Sequence, residues 1–497
     1  MQKFKVNYLP LLLIIFITSG FLQTNAQNKL KKSESLSVTS HQITVNGKTI
    51  NYEATTGYMT MKEEDGKENA NVFFIAYTKK GVENAAERPV TFAYNGGPGS
   101  SSVWLHMGAL GPKRILMTDE GESLPPPYKL ADNEYTWLDE TDLVFIDPVM
   151  TGYSRPADSV KKEEFHGLRE DLASVGDFIR LYLSRYERWS SPKFLAGESY
   201  GTTRSAGLSG YLQDRHGIYL NGIVLISSIL NWQTVSFDFG NELPYVLHLP
   251  TYAAIAWYHK KAGTSYSSVQ EFLKEVEEFA LNDYTVALMK GDKLPANEKQ
   301  EIVSKLNKYT GLSEEYIKQT LLRIEIGRFT KELLRSDMKT VGRLDGRFTG
   351  TDLDAAGERF EYDPSYNKTI YGPYTRAIND YVRAELDYEN DLPYEILTGR
   401  VRPWNWGVEN EYVDVANTLR ASMNKNPHLK ILVCNGFYDL ATPYFATAYT
   451  FNHLFLNEEL QKNISMTYYE AGHMMYIHMP SLQQLKKDVA NFYQSSK

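Results

Sequence analysis

Cysteine is nearly missing from this chain: Cys434 is the only one in 497 residues, so no intramolecular disulfide can form. A chain without cross-links must hold itself together by burial, and one this long can build a large apolar core. Metal-ligand clusters are missing as well. No Cys/His set has zinc spacing, and His473 and His478 do not make an HExxH pair, so neither a metal nor a cofactor is expected. Basic excess is lacking: 53 Lys and Arg stand against 61 Asp and Glu, a formal net charge of -8. That balance argues against a nucleic-acid partner, which requires a basic face. No internal repeat or low-complexity linker interrupts the chain.

Long apolar runs are confined to the first residues. Lys3 and Lys5 precede a mostly apolar stretch from Leu9 to Leu22, and Thr24-Asn25-Ala26 supplies small residues for cleavage. This is the pattern of an export leader over residues 1–26. The stretch is short for a membrane anchor and is broken by Pro10, Thr18, Ser19 and Gly20. No Cys near the cleavage point is available to carry a lipid. Removing the leader takes away the charges of Lys3 and Lys5 and leaves a net charge of -10 on the mature chain. The expectation is an exported protein, periplasmic or extracellular, with no membrane span in its mature form.

What remains reads first as β structure. Ile43, Val45, Ile50 and Tyr52 flank Asn46-Gly47, a strong two-residue hairpin signal. Strands are expected at 71–78 and 90–94, and from 137 onward strands alternate with helices, the sign of a largely parallel sheet. That second series comprises strands at 143–146, 194–196 and 222–229, with helices at 168–189 and 202–213. From about 232 to 402 the alternation stops. Helical patterns at 252–261, 269–281, 297–309 and 313–334 suggest one insertion over the carboxyl ends of the strands. The alternation resumes with strand 429–434, helix 443–456, strand 464–469 and helix 482–494. Cys434 ends one of these buried strands, where it is expected to act as a small inert hydrophobe.

Chemistry concentrates at three strand ends. Gly197-Glu198-Ser199-Tyr200-Gly201 lies between a strand and a helix, the context of a nucleophile elbow. A serine on so sharp a turn needs glycines on both sides, because side chains there would strike the neighbouring strand or helix. A serine hydroxyl also needs a histidine to accept its proton and a carboxylate to orient that histidine. Asp439, in Asn435-Gly436-Phe437-Tyr438-Asp439, and His473, in Glu470-Ala471-Gly472-His473-Met474, both follow predicted strands. They come after Ser199 in the order acid, then histidine. Asn95-Gly96-Gly97-Pro98-Gly99-Ser100-Ser101-Ser102 ends a further strand and exposes backbone N–H groups. The N–H groups of Gly97 and Tyr200 are the candidates for stabilising a tetrahedral oxyanion. A phosphate loop is disfavoured, since no Gly-Lys-Ser/Thr follows.

As a set, the segments 95–102, 197–201, 435–439 and 472–474 resemble the serine carboxypeptidase family. Asp147-Pro148-Val149-Met150-Thr151-Gly152-Tyr153-Ser154 and Asn133-Glu134-Tyr135-Thr136-Trp137 are similar to two further segments of it. The resemblance runs from about residue 90 to the end. It implies an α/β-hydrolase fold with a mostly parallel central sheet and a helical cap. The core would be split into 27–231 and 403–497 around an insertion at 232–402. It also implies Ser199, Asp439 and His473 as catalytic triad, Gly97 and Tyr200 as oxyanion hole, and peptides as substrates. Asn95 and Glu198 match positions that hold the substrate's free carboxylate. Glu198 would repel that carboxylate unless one of the two were protonated, so mildly acid conditions should favour binding. Two positions depart from the family. Ala93 stands where a carboxylate-contacting tryptophan is common, and Ser100 stands where a disulfide cysteine is usual.

Three readings remain open at this level. The first is a carboxypeptidase acting through an acyl-enzyme. The second is an esterase, acyltransferase or proline-directed aminopeptidase using the same residues. The third is a non-catalytic binding protein on the same scaffold. Oligomeric state is not encoded in any feature of the sequence identified above.

Overall fold

A computed structural model describes residues 36–496, so the expected leader at 1–26 lies outside the described residues. Nine strands form the central sheet: β1 (Leu36–Val45), β2 (Lys48–Lys62), β3 (Glu68–Lys79), β4 (Val90–Tyr94), β5 (Asp142–Ile146), β6 (Lys193–Ser199), β7 (Gly222–Ser228), β8 (Lys430–Gly436) and β9 (Ile464–Tyr469). Their spatial order is β1-β2-β3-β5-β4-β6-β7-β8-β9. The short strand Arg155–Pro156 adds to the flank of β3. The first three strands pair antiparallel, and β3 joins β5 antiparallel. Every pairing from β5 to β9 is parallel.

Local chemistry accounts for these elements. At the β1–β2 turn, Asn46 and Gly47 both take positive φ, 50° and 75°, as a tight primed hairpin turn requires. Strands β4, β5 and β7 are buried at every residue, which is why they read as unbroken apolar runs rather than alternating ones. Alternation reappears in the packing: Phe194, Val224 and Leu432 enter one layer, and Leu195, Ile223, Leu225 and Ile431 the other. Each fully buried Phe or Leu side chain contributes on the order of 2 kcal/mol. One layer is closed by helices α1 (Leu168–Arg185), α2 (Tyr200–His216) and α7 (Ala416–Lys425), the other by α6 (Tyr371–Ala384) and α9 (Met479–Ser495).

Between β7 and β8 lie α3 (Leu243–Tyr258), α4 (Val269–Phe279), α5 (Ala296–Thr310) and α6, and α8 (Tyr444–Asn452) follows β8. Helices α3 to α5 share a separate hydrophobic cluster that includes Tyr252, Phe272, Val276, Val303 and Leu306. That cluster also takes in Phe437, Tyr438 and Leu440, which follow β8. Among the described residues no helix is long and apolar enough to cross a membrane. Cys434 is fully buried in β8, and burial pushes its thiol up to about 12.

Several expected boundaries shift. The helix read over 168–189 stops at Arg185, because Glu187 turns left-handed (φ 54°) and Arg188 swings inward to Asp142 at 2.6 Å. The helix read over 252–261 starts at Leu243 and runs through Pro250; its burial on nearly all sides holds it together past the missing N–H. The single helix expected at 313–334 is two short ones, Glu314–Gln319 and Ile326–Glu332, separated at Leu321 and Leu322, both at positive φ. Helices α6 and α7 were not expected; Gly372-Pro373 masks the start of the first.

Candidate active site

Strand β6 ends at Ser199, which sits at φ 59° and ψ -130° immediately before α2. An L-residue held there stores backbone strain and marks a constrained, purposeful turn. The flanking glycines are steric necessities. A Cβ on Gly197 would lie 2.3 Å from the Gly201 carbonyl oxygen, and one on Gly201 would lie 2.9 Å from the Tyr94 carbonyl oxygen. Tyr200 opens α2, so its N–H is among those with no acceptor inside the helix. The 95–102 loop presses directly on this turn: a Cβ on Gly96 would meet the Tyr200 nitrogen at 2.4 Å. Gly97 takes φ 104°, a conformation open essentially to glycine.

Two buried polar groups clamp that loop. Asp147 accepts from Ser102 N and Ser102 Oγ, both at 2.9 Å, and burial pushes its carboxyl up to about 6. Arg204 of α2 donates from Nη1 to the Asn95 carbonyl at 2.7 Å and from Nε to Asp171 at 2.8 Å. Asp171 also accepts from the Tyr200 hydroxyl at 2.9 Å. The elbow helix and the glycine-rich loop are therefore tied through one buried ion pair. Unpaired, such charges would be strongly destabilising.

Asp439 and His473 converge from the ends of β8 and β9. His473 Nδ1 lies 2.7 Å from Asp439 Oδ2. Asp439 is completely buried and accepts further bonds from Ala441 N (2.8 Å), Thr442 N (3.1 Å) and Thr442 Oγ1 (2.7 Å). The backbone of His473 is pinned as well, its N–H to Leu344 O and its carbonyl by Ser227 Oγ, each at 2.7 Å. Burial pulls the imidazole down, but the charge and hydrogen bond of Asp439 outweigh it and hold His473 above its ordinary value. Ser199 and His473 line one open cleft of about 400 Å³. No hydrogen bond joins the hydroxyl to the imidazole here; such bonds often close only around bound substrate.

At the floor of that cleft Glu198 is 3 % exposed. Its Oε1 accepts from Asn95 Nδ2 at 2.9 Å and its Oε2 from the Tyr476 hydroxyl at 2.6 Å. Burial pushes its carboxyl up to about 7, against the lowering effects of His473, Tyr476 and Asn95. All seven residues singled out from sequence thus gather in one region, with Asn95, Gly97, Glu198, Ser199 and His473 on the cleft wall itself. Sequence reasoning missed Tyr476, Thr442, Asp171, Arg204 and the cleft arginines Arg343 and Arg402. Only Thr442 had a local signal, its hydroxyl three residues beyond an aspartate in a turn.

The description "Serine carboxypeptidase" belongs to a family model that matches residues 45–487. Among curated relatives, serine carboxypeptidase-like 33 of Arabidopsis thaliana is 30% identical over 168 residues, covering 33% of this chain and 32% of the relative. Pheromone-processing carboxypeptidase KEX1 of Saccharomyces cerevisiae (strain JAY291) is 31% identical over 155 residues, 29% of this chain and 20% of that protein. The chain thus spans about a third or less of the length of these two relatives. The crystal structure of KEX1(delta)p, a prohormone-processing carboxypeptidase from Saccharomyces cerevisiae, superposes with a TM-score of 0.54. It is 17% identical and covers 88% of this chain and 91% of that one. At that identity the likeness speaks for the α/β-hydrolase fold.

Proposed function

Since this chain belongs to the serine carboxypeptidase family, we propose that it removes C-terminal residues from peptides through an acyl-enzyme, outside the cytoplasm and best in mildly acid conditions. Ser199 Oγ attacks the last peptide carbonyl while His473 takes the hydroxyl proton. The Gly97 and Tyr200 N–H groups receive the developing oxyanion. The C–N bond then breaks as His473 returns that proton to the departing amine. Water, deprotonated by the same imidazole, hydrolyses the ester and frees Ser199. Asp439 keeps the imidazole oriented and stabilises its charged form.

The observation that carries this reading is the Asn95–Glu198–Tyr476 cluster, buried at the floor of the cleft that Ser199 and His473 line. A carboxyl pushed up to about 7 is neutral below that value, where it can donate a hydrogen bond to a terminal carboxylate. Above it, the two charges repel. Protonation has a second effect. The Glu198 charge is one of the influences holding His473 up, so neutralising Glu198 lets the imidazole remain an unprotonated base at lower pH. Binding and base catalysis are thereby tuned together rather than opposed. The export assignment rests on the leader pattern at 1–26.

Mass spectrometry of a peptide pool with free or amidated C-termini tests the proposal. Free-ended peptides should shorten one residue at a time from the C-terminus, faster below neutrality, and Ser199→Ala should abolish it. Equal cleavage of amidated peptides would point to a broader acyl hydrolase. Shortening that survives in Ser199→Ala would overturn the mechanism.

A further inference from the structure

Arg343 and Arg402 line the cleft together with Ser199 and His473, and both are exposed. Their setting differs from that of the arginines buried elsewhere in the fold. Arg88, Arg188, Arg204 and Arg347 each hold a carboxylate. Arg343 is engaged only through its backbone, its N–H donating to Asp363 Oδ1 at 3.1 Å and its carbonyl accepting from Leu440 N at 3.1 Å. Arg402 likewise donates its N–H to the Gly399 carbonyl at 3.0 Å. Among the described residues neither guanidinium has a hydrogen-bond or ion-pair partner.

The cleft offers them no internal acid. Among the described residues Glu198 is the one carboxylate lining it, and its two oxygens accept from Asn95 and Tyr476 rather than from an arginine. A chain of formal net charge -8 therefore surrounds its reacting centre with two free positive charges. A concave site lined by one sign of charge focuses its field on the opposite sign. Guanidinium groups in addition match carboxylates with paired, directional donors. Arg343 stands close enough to His473 for its charge to oppose protonation of the imidazole, so an anion held there lies beside the bond being cut.

Resting on the carboxypeptidase reading, the geometry points to acidic peptides as the substrate class: Arg343 and Arg402 hold a Glu or Asp side chain flanking the last peptide bond. The terminal carboxylate has its own place at the buried floor with Asn95 and Glu198, whereas the arginines stand on the open walls. That arrangement assigns them to side chains. Trp104, Tyr366 and Leu397 line the same cleft and add apolar surface to it.

The test uses the full chain and N-blocked peptides with free C-termini, differing only in Glu, Gln or Lys at each of the last two positions. At mildly acid pH the Glu side chain is ionised and Gln is its neutral isostere. At one position or the other, kcat/KM should favour Glu over Gln by about tenfold, on the scale of one charged hydrogen bond. Lys should be worst, and added salt should shrink the preference. In Arg343→Gln/Arg402→Gln the Glu-to-Gln ratio should fall to near one, and the double lysine variant should restore part of it. Wild-type enzyme that trims neutral peptides with no preference for Glu overturns this inference alone. So does a double variant that slows all free-ended peptides equally at an unchanged ratio, which would place the terminal carboxylate on the arginines. Wild-type enzyme that trims no free-ended peptide at all overturns the carboxypeptidase reading and this inference with it.

Discussion

The cleft wall bearing Asn95, Glu198, Ser199 and His473 grows from the ends of β4, β6 and β9, whereas a second wall bearing Arg343, Tyr366, Leu397 and Arg402, joined to the first where Leu397 bridges Ser100, comes from the segment between β7 and β8. On the first wall almost every polar group is buried and partnered, and backbones approach so closely that Gly96, Gly197 and Gly201 have no room for a Cβ. On the second, two charged side chains are exposed and, among the described residues, free of hydrogen-bond and ion-pair partners. Under the proposed function the contrast separates two tasks. Bond making requires fixed geometry, bought with strain and buried hydrogen bonds; choosing among peptides requires groups that are not already spent on the fold. Variants on the first wall should therefore slow every substrate alike, and variants on the second should change which substrate is preferred.

The sharpest way to test that division is Asp439→Asn. The amide retains the shape but offers His473 Nδ1 a poorer partner and allows the wrong tautomer. By analogy with serine triads the loss in kcat should be about 10³- to 10⁴-fold. Steady-state kinetics on paired Glu and Gln peptides should show the same loss for both. A loss confined to one peptide would break the separation between walls.

Next in size comes the seam where the walls touch. His473 N donates to Leu344 O, and Gly472 N donates to Asp345 Oδ2 at 3.0 Å, which in turn holds Arg347 at 2.7 Å. A Cβ on Gly472 would lie 2.5 Å from both Asp345 Cβ and Leu344 O. Gly472→Ala should accordingly push the insertion off the histidine loop, costing about 1 to 3 kcal/mol of stability, the usual range for overpacking. It should also lower kcat by at least tenfold, since small displacements of a positioned base are costly. Thermal unfolding together with kcat reads both effects. A variant as stable and active as wild type would mean the walls are mechanically independent.

The same division explains what could be read in advance. Ser199 and Asp439 were legible because one ends and the other follows a buried strand, and apolar runs such as those in β4, β5 and β8 announce themselves; His473 follows β9, a strand buried only at Tyr469, and was legible from its place after the acid in chain order. The turn glycines were legible for the same reason: a close backbone approach leaves no other residue type. The insertion was less so. Its helices form around a core of their own, and their limits follow tertiary burial rather than local signals. Pro250 is carried inside α3, and Leu321 and Leu322 break an apolar pattern that looks continuous. Arg343 and Arg402 carry no signal, because an unpartnered arginine is recognised only once its neighbours are known. Tyr476 lay hidden for another reason: it belongs to a short turn after His473, and only the fold brings it 2.6 Å from Glu198.

Tyr476 also gives the smallest and most discriminating effect. Its hydroxyl donates to Glu198 Oε2, a bond that favours the charged carboxylate and works against the upward push of burial. Tyr476→Phe removes that donor while keeping the ring among the groups that pack around Gly108. Glu198 should then rise above about 7, by roughly one pH unit, since a hydrogen bond to a charged group is worth about 1.5 to 3 kcal/mol before relaxation. If the neutral form binds a terminal carboxylate, as proposed, the pH at which KM begins to climb should move in the alkaline direction. Turnover at saturating peptide should change only a few-fold. A purely structural tyrosine would alter stability and leave that midpoint where it is. A midpoint that stays put, or moves toward acid, would detach Glu198 from substrate binding and leave the first wall with chemistry but no anchor.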